Sequence, residues 1–206
     1  MTFTRPARRA GPRIRVTVRP ATPDRWADLV ELFGPRGACG GCWCMWWRHS
    51  SSRYEQQKGA GNRRALKRLV DAGHVPGLLA YHRGRPVGWI SMGPREAFSR
   101  LGRSRVLAPV DDAPVWSIVC LFIAKAFRRR GLSVVLYQAA VHEVRRRGAR
   151  LVEAYPIEPR QEMADVFVSQ GLASACRAAG FREISRRSPT RPIMRADTGR
   201  RAGRTA

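Results

Sequence analysis

No apolar run in this chain approaches the roughly 20 residues that a bilayer-spanning helix needs, and its opening, MTFTRPARRAGPR, lacks the apolar stretch of a secretory signal. The expectation is a cytoplasmic protein with no membrane partner. Lysine is scarce: Lys58, Lys67 and Lys125 stand among 39 basic residues, so the formal charge of +24 is carried by arginine. A nucleic-acid surface carries such charge. The arginines, however, are spread along the chain rather than gathered in a block, and no RNA- or DNA-binding motif accompanies them. A compositional skew would produce the same numbers, and nucleic acid is a partner the charge permits without favouring. Internal repeats are absent as well.

What is present suits one globular unit. With 206 residues and 44% hydrophobic content the chain can bury a single proper core. Residues 1–12 and 197–206, rich in Arg, Pro, Gly, Ala and Thr, read as flexible tails around one domain at 13–196. Ile14 to Val18 alternates as a strand; Trp26, Leu29, Val30 and Phe33 recur at helical spacing after Thr22-Pro23-Asp24. A turn-rich connection runs from Gly34 to Ser52, followed by one helix from Tyr54 to Ala72. Leu78–His82 and Val87–Met92 flank a hairpin signal, and 95–113 reads as a polar loop. Then come a strand over 115–123, a helix over 132–147, a strand over 151–155, a helix near 170–179 and strands over 181–187 and 192–195.

The most telling stretch is the apolar run VWSIVCLFI, then AKAF, then Arg128-Arg129-Arg130-Gly131-Leu132-Ser133 at the start of a helix. Its apolar stripe is Leu132, Val135, Leu136, Ala139, Ala140 and Val144, closed by Arg145 to Arg147 and Gly148. A strand that breaks into a glycine turn at a helix start aims free backbone N–H groups at one point, where the helix dipole also favours an anion. Spacing alone leaves open a plain strand-to-helix turn with solvated arginines.

Arg128-x-x-Gly131-x-Ser133 in this setting resembles the acyl-CoA signature of the GNAT N-acetyltransferases, with Ser133 where Gly or Ala is usual. The resemblance continues through Leu151–Pro156 and Ala178-Ala179-Gly180-Phe181, covering about residues 13–195. It implies an α/β fold with a mixed sheet, helices on both faces, and a splayed central pair of parallel strands that admits acetyl-CoA. It also implies that the backbone of Leu121, Phe122 and Ile123 meets the pantetheine arm and thioester. Residues Arg128, Arg129, Arg130, Gly131, Leu132 and Ser133 would hold the diphosphate. Such proteins often pair through edge strands, so a homodimer is one implied arrangement.

Acetyl transfer to an amine needs a neutral amine, a polarised carbonyl and a proton for the departing thiolate. Strand 115–123 has no glutamate, where relatives often place a base; Ser117 and Cys120 are its exchangeable side chains. Glu153, Tyr155 and Glu158, on or after the next strand, are the closest alternatives. Cys176 stands where a tyrosine acid often sits, and the alternative for it is core packing.

The cluster Cys39-Gly40-Gly41-Cys42-Trp43-Cys44-Met45-Trp46-Trp47-Arg48-His49 admits several readings. It could pack onto the sheet, ligate a metal, act as a redox dithiol, or wall the acceptor site with Trp43, Met45, Trp46 and Trp47. Such a wall suits an apolar amine, or a positive one held over a ring face. The spacing matches no common metal site, so none is assigned. His49, His74, His82 and His142 have no partner at motif spacing. The expected activity is transfer of acetyl from acetyl-CoA to a primary amine acceptor of a small molecule or protein. The competing readings are acylation of an aminoacyl-RNA and a non-enzymatic module that binds acyl-CoA or a metal.

Overall fold

The computed structural model describes residue 12, residues 14–159 and residues 170–199. Of the tails expected at 1–12 and 197–206, residues 1–11 and 200–206 lie outside the described residues. The strands are β1 (Thr17–Pro20), β2 (Gly77–His82), β3 (Arg85–Pro94), β4 (Val115–Ile123), β5 (Leu151–Ala154), β6 (Arg182–Arg186) and β7 (Pro192–Asp197). They form one sheet in the order β1-β2-β3-β4-β5-β7-β6, in which β4 and β5 are the parallel neighbours and the other pairs are antiparallel. The described helices are α1 (Trp26–Phe33), α2 (Ser51–Gln56), α3 (Ala60–Asp71), α4 (Ser99–Gly102), α5 (Leu132–Arg146) and α6 (Ala173–Ala178), with three single 3-10 turns besides.

Alternation along the strands assigns two faces. Leu78, Ala80, Ile90, Met92, Ile118, Leu121, Val152, Ala154, Met194 and Ala196 pack against Leu132, Leu136, Ala140 and Val144 of α5 and Cys176 of α6. The opposite face carries Leu79 and Trp89 beneath Leu29, Leu32 and Phe33 of α1 and Ala65 and Leu66 of α3. Burying these side chains is the main stabilising term, at about 1.5–3 kcal/mol for each large one. α5 ends in a Schellman motif: Gly148 has φ 84°, its N–H donates to the Arg145 carbonyl at 3.0 Å, and the Ala149 N–H to Val144 at 3.2 Å.

Some expected elements differ. β1 starts at Thr17 rather than Ile14, although Ile14 and Val16 still pack on the core. The helix expected from Tyr54 to Ala72 is broken between α2 and α3, because Gly59 turns to φ 77° and donates its N–H to the Gly41 carbonyl at 2.9 Å. A Cβ on Gly41 would stand 2.6 Å from the Gly59 nitrogen, so the backbones meet closely there. The 95–113 segment holds its own core of Phe98, Leu101 and Leu107 against Val119, Tyr155 and Ile193. β7 runs on to Asp197, two residues beyond the expected strand end, and Thr198 is buried. The expected helix near 170–179 is confined to α6, and strand 181–187 to β6.

Candidate functional site

The site begins with a miscount in β4. Ser91 pairs with Cys120 and Met92 with Ile118, which leaves Val119 as an unpaired extra residue, a β-bulge. Val119 and Cys120 therefore both face the side of Phe98 and Trp47, while Ile118 and Leu121 face α5. β5 pairs with β4 only over Val115–Ile118, so the last five residues, Val119–Ile123, keep β3 alone. The parallel pair parts at the bulge.

β4 leads into the turn before α5. Arg129 at φ 60° and Gly131 at φ 79° adopt left-handed backbone that curls the chain back. The Val134 and Val135 amides return to the Gly131 carbonyl, but no protein acceptor among the described residues takes the N–H groups of Gly131, Leu132 or Ser133. The Arg128 Nε donates to the Ile123 carbonyl at 3.0 Å, bracing the turn against the strand end. The Arg130 guanidinium stands 5.8 Å from the Phe127 ring centre.

Across the sheet lies the 39–49 connection. Trp43 is core: it stacks on Trp26 at 6.1 Å and meets Phe33 at 5.5 Å, and Met45 is equally buried. Gly37 exists for Trp43, since a Cβ there would lie 2.2 Å from the indole nitrogen. Trp46, 39% exposed, and Trp47 are the members of the expected wall that reach the surface. The Cys44 thiol donates to the Cys120 sulfur at 3.3 Å and receives the Trp89 indole N–H at 3.1 Å. The contact with Cys120, and then burial, push the Cys44 thiol well above its ordinary range. Burial likewise raises Cys42. Among the described residues no three His, Cys, Asp or Glu side chains group as a metal site.

The remaining expected catalytic groups divide. Glu153, 1% exposed, has one carboxylate oxygen bound by Arg195 Nη2 at 2.7 Å and the other by the Tyr155 hydroxyl at 2.9 Å, with Arg95 at 3.6 Å. Tyr155 also meets Ser117 at 2.8 Å and receives Arg95 Nη1 at 2.6 Å. Arg195 continues to Asp111, and Arg95 to the Leu107 carbonyl, so the network ties the 95–113 segment to β5 and β7. Burial, then Glu153, raise the Tyr155 hydroxyl. Cys176 is buried between α5 and the sheet, and burial drives its thiol upward. Of the four, Cys120 follows the extra residue in β4 directly, and Tyr155 packs in the same cluster as Val119.

Sequence reasoning offered His49 only as a candidate metal ligand beside the cysteines and gave no role to Arg48 or Arg100. Arg48 lies over the Phe98 ring at 4.4 Å and donates to the Met92 carbonyl at 3.2 Å. Arg100 lies over Trp46 at 3.7 Å and donates to the His49 carbonyl at 3.1 Å. The only available signal was Arg48-His49 beside the tryptophans, and nothing local linked it to Arg100, fifty-odd positions away.

A family model described as Acetyltransferase (GNAT) family matches residues 42–171. Comparison of the sequence with curated proteins gives no match. Among solved structures, the chain is similar to an N-acetyltransferase from Staphylococcus aureus Mu50, at 11% identity, 89% of this chain, 99% of that one and TM-score 0.52. A GNAT-family acetyltransferase from Streptococcus agalactiae 2603 matches at 12% identity, over 88% of this chain and 95% of that one, with TM-score 0.52. A GNAT-family protein from Desulfovibrio desulfuricans matches at 16%, over 89% and 99%, with TM-score 0.50. At such identities the likeness extends to the fold.

Proposed function

The chain belongs to the GNAT acetyltransferase family, and from that premise we propose that it transfers an acetyl group from acetyl-CoA to a primary amine by direct attack in a ternary complex. The observation that carries this reading is the junction of the parted strands with a helix start: β4 leaves β5 after Ile118 and leads to the amides of Gly131, Leu132 and Ser133, which have no protein acceptor among the described residues. Acetyl-CoA, the acyl donor of this family, supplies the activated thioester when bound.

The amides from Gly131 to Ser133 would hold the diphosphate, with the Arg130 guanidinium beside them as a cation. Arg128 and Arg129 shape the turn. The backbone of Leu121 and Phe122, beyond the bulge, would meet the thioester end, whereas the Ile123 carbonyl is engaged by Arg128. We assign Cys120 the proton for the departing thiolate: its sulfur accepts from Cys44, which leaves its own S–H to be donated. The amine gives up its proton to water. Glu153 and Tyr155 serve as positioning groups that hold β5 and the 95–113 segment, and Cys176 serves packing. Trp46 and Trp47 border the acceptor side, and Trp43 and Met45 support them from the core.

Calorimetry with acetyl-CoA, followed by acetylation assays over a broad amine panel, tests the reading. Saturable binding with turnover of at least one amine is expected, and Cys120→Ala should lower kcat about a hundredfold without weakening acetyl-CoA binding. No binding at millimolar ligand, or tight binding with no turnover of any amine, would overturn it.

A further inference from the structure

Two guanidinium groups on the acceptor side of β4 have no counter-charge. Arg95 and Arg195 both meet Glu153, but neither Arg48 nor Arg100 forms an ion pair among the described residues. The Arg48 Nε, the Arg100 Nη2 and the neighbouring His49 Nε2 are all buried without a hydrogen-bond partner. Most buried polar atoms are satisfied, and an uncompensated buried cation is among the costliest arrangements in a protein. Here two half-buried guanidinium groups on one short stretch of surface each keep one such unsatisfied nitrogen. They are stitched together: Arg100 Nε donates to the His49 carbonyl, the Arg100 N–H to Trp47, and the Ser99 hydroxyl to the Arg48 carbonyl.

Their position bears on the reaction. Arg48 donates to the carbonyl of Met92, whose partner across the sheet is Ile118, the residue just before the bulge. Paired strands lie roughly 5 Å apart, so this guanidinium sits one strand away from where the thioester end would be presented. Of the rings that the sequence offered for capturing a positive amine, Trp43 is core and Trp46 is already covered by Arg100, while Arg48 covers the neighbouring Phe98. What these two guanidinium groups lack, among the described residues, is an ion-pair partner.

We propose that Arg48 and Arg100 form an anion seat for the acceptor, and that the amine this enzyme acetylates carries a carboxylate, as an amino acid or a peptide end does. The inference rests on the transferase reading above and names its substrate class. A carboxylate on the free edge of Arg48 supplies the missing partner and, by anchoring one end of the acceptor, aims its amine at the bulge. Burial already costs Arg48 part of its charge preference, lowering its pKa to about 10, and a bound carboxylate would restore it.

The test pairs free α-amino acids with their carboxamides, titrated onto CoA-saturated protein by calorimetry and assayed for acetylation with acetyl-CoA. At least one acid should bind and react 10- to 100-fold better than its amide. In Arg48→Gln and Arg100→Gln that ratio should fall toward one while the affinity for CoA is kept, which also certifies that the variants fold. Equal handling of acids and amides by the parent, or no saturable binding of any carboxylate amine to CoA-loaded protein, would overturn this proposal alone. Absence of CoA binding would overturn it together with the transferase reading.

Discussion

Replacing Glu153 by glutamine separates a structural carboxylate from a catalytic one. The side chain is 1% exposed and keeps its shape, but it loses the charge that faces Arg195 at 2.7 Å and Arg95 at 3.6 Å. Removing one partner of a buried ion pair costs about 3–5 kcal/mol. The arginine side chains are 13% and 16% exposed and Arg195 keeps Asp111, so the lower end applies, about 3 kcal/mol. For a chain of this size each kcal/mol moves the melting temperature by about 2–4 °C, which gives a fall of about 6–12 °C. Thermal unfolding followed by circular dichroism measures it, with acetyl transfer assayed at 25 °C, where the variant remains folded. Residual kcat within about tenfold of the parent is expected. A variant that melts within about 2 °C of the parent but loses a hundredfold or more in kcat would refute the reasoning and return Glu153 to the chemistry.

Gly131→Ala forces an L-residue into φ 79° and should raise the Kd for acetyl-CoA about tenfold, since such backbone costs about 1–2 kcal/mol. Gly148→Ala, at φ 84° on the far end of α5, should cost similar stability and leave that Kd unchanged; equal Kd values for the two variants would refute the turn's role. Iodoacetamide at pH 7.5 should label exposed Cys39 in the native protein, whereas Cys44 and Cys176, buried and with raised thiols, should react only after unfolding; peptide mass mapping showing Cys44 labelled as fast as Cys39 would contradict this. Burial, then Arg53, Arg68 and Arg48, hold His49 below its ordinary pKa of 6.5, so the unfolded chain binds the extra proton first. The contribution of His49 to stability is whole above about pH 6.5 and is lost as the pH falls toward the folded value. Denaturant midpoints at pH 7.5 and 5.5 should differ less in His49→Gln than in the parent; an identical difference would remove His49 as the source.

The strand–turn–helix from Val115 to Gly148 was legible because its signals are local: the stripe from Leu132 to Val144, and glycines at two of the three places where the backbone turns left-handed, Arg129 being the third. Elements decided by distant partners were not. The break at Gly59 depends on a carbonyl at Gly41, and the bulge at Val119 is a property of two strands rather than of one run of residues. The tryptophans divide for the same reason: Trp43 goes inward because Gly37 leaves room and Trp26 and Phe33 meet it, while Trp46 stays out under Arg100. Glu153 looked like a free base in a sequence, where Arg95 and Arg195 stand far off, and in the fold they close on it. A surplus of arginine hid Arg48 and Arg100, since composition cannot say which cations stand without an ion pair among the described residues.

The surplus residue in β4 means that the cleft depends on arithmetic. Losing the codon for Val119 would let the strand alternate evenly: Ile118 opposite Met92 would be followed directly by Cys120 opposite Ser91, and every remaining side chain would keep its face. An in-frame deletion of one triplet here should therefore do what no conservative replacement of Val119 does, sealing the opening between two neighbours while every other letter of the gene stays as it was.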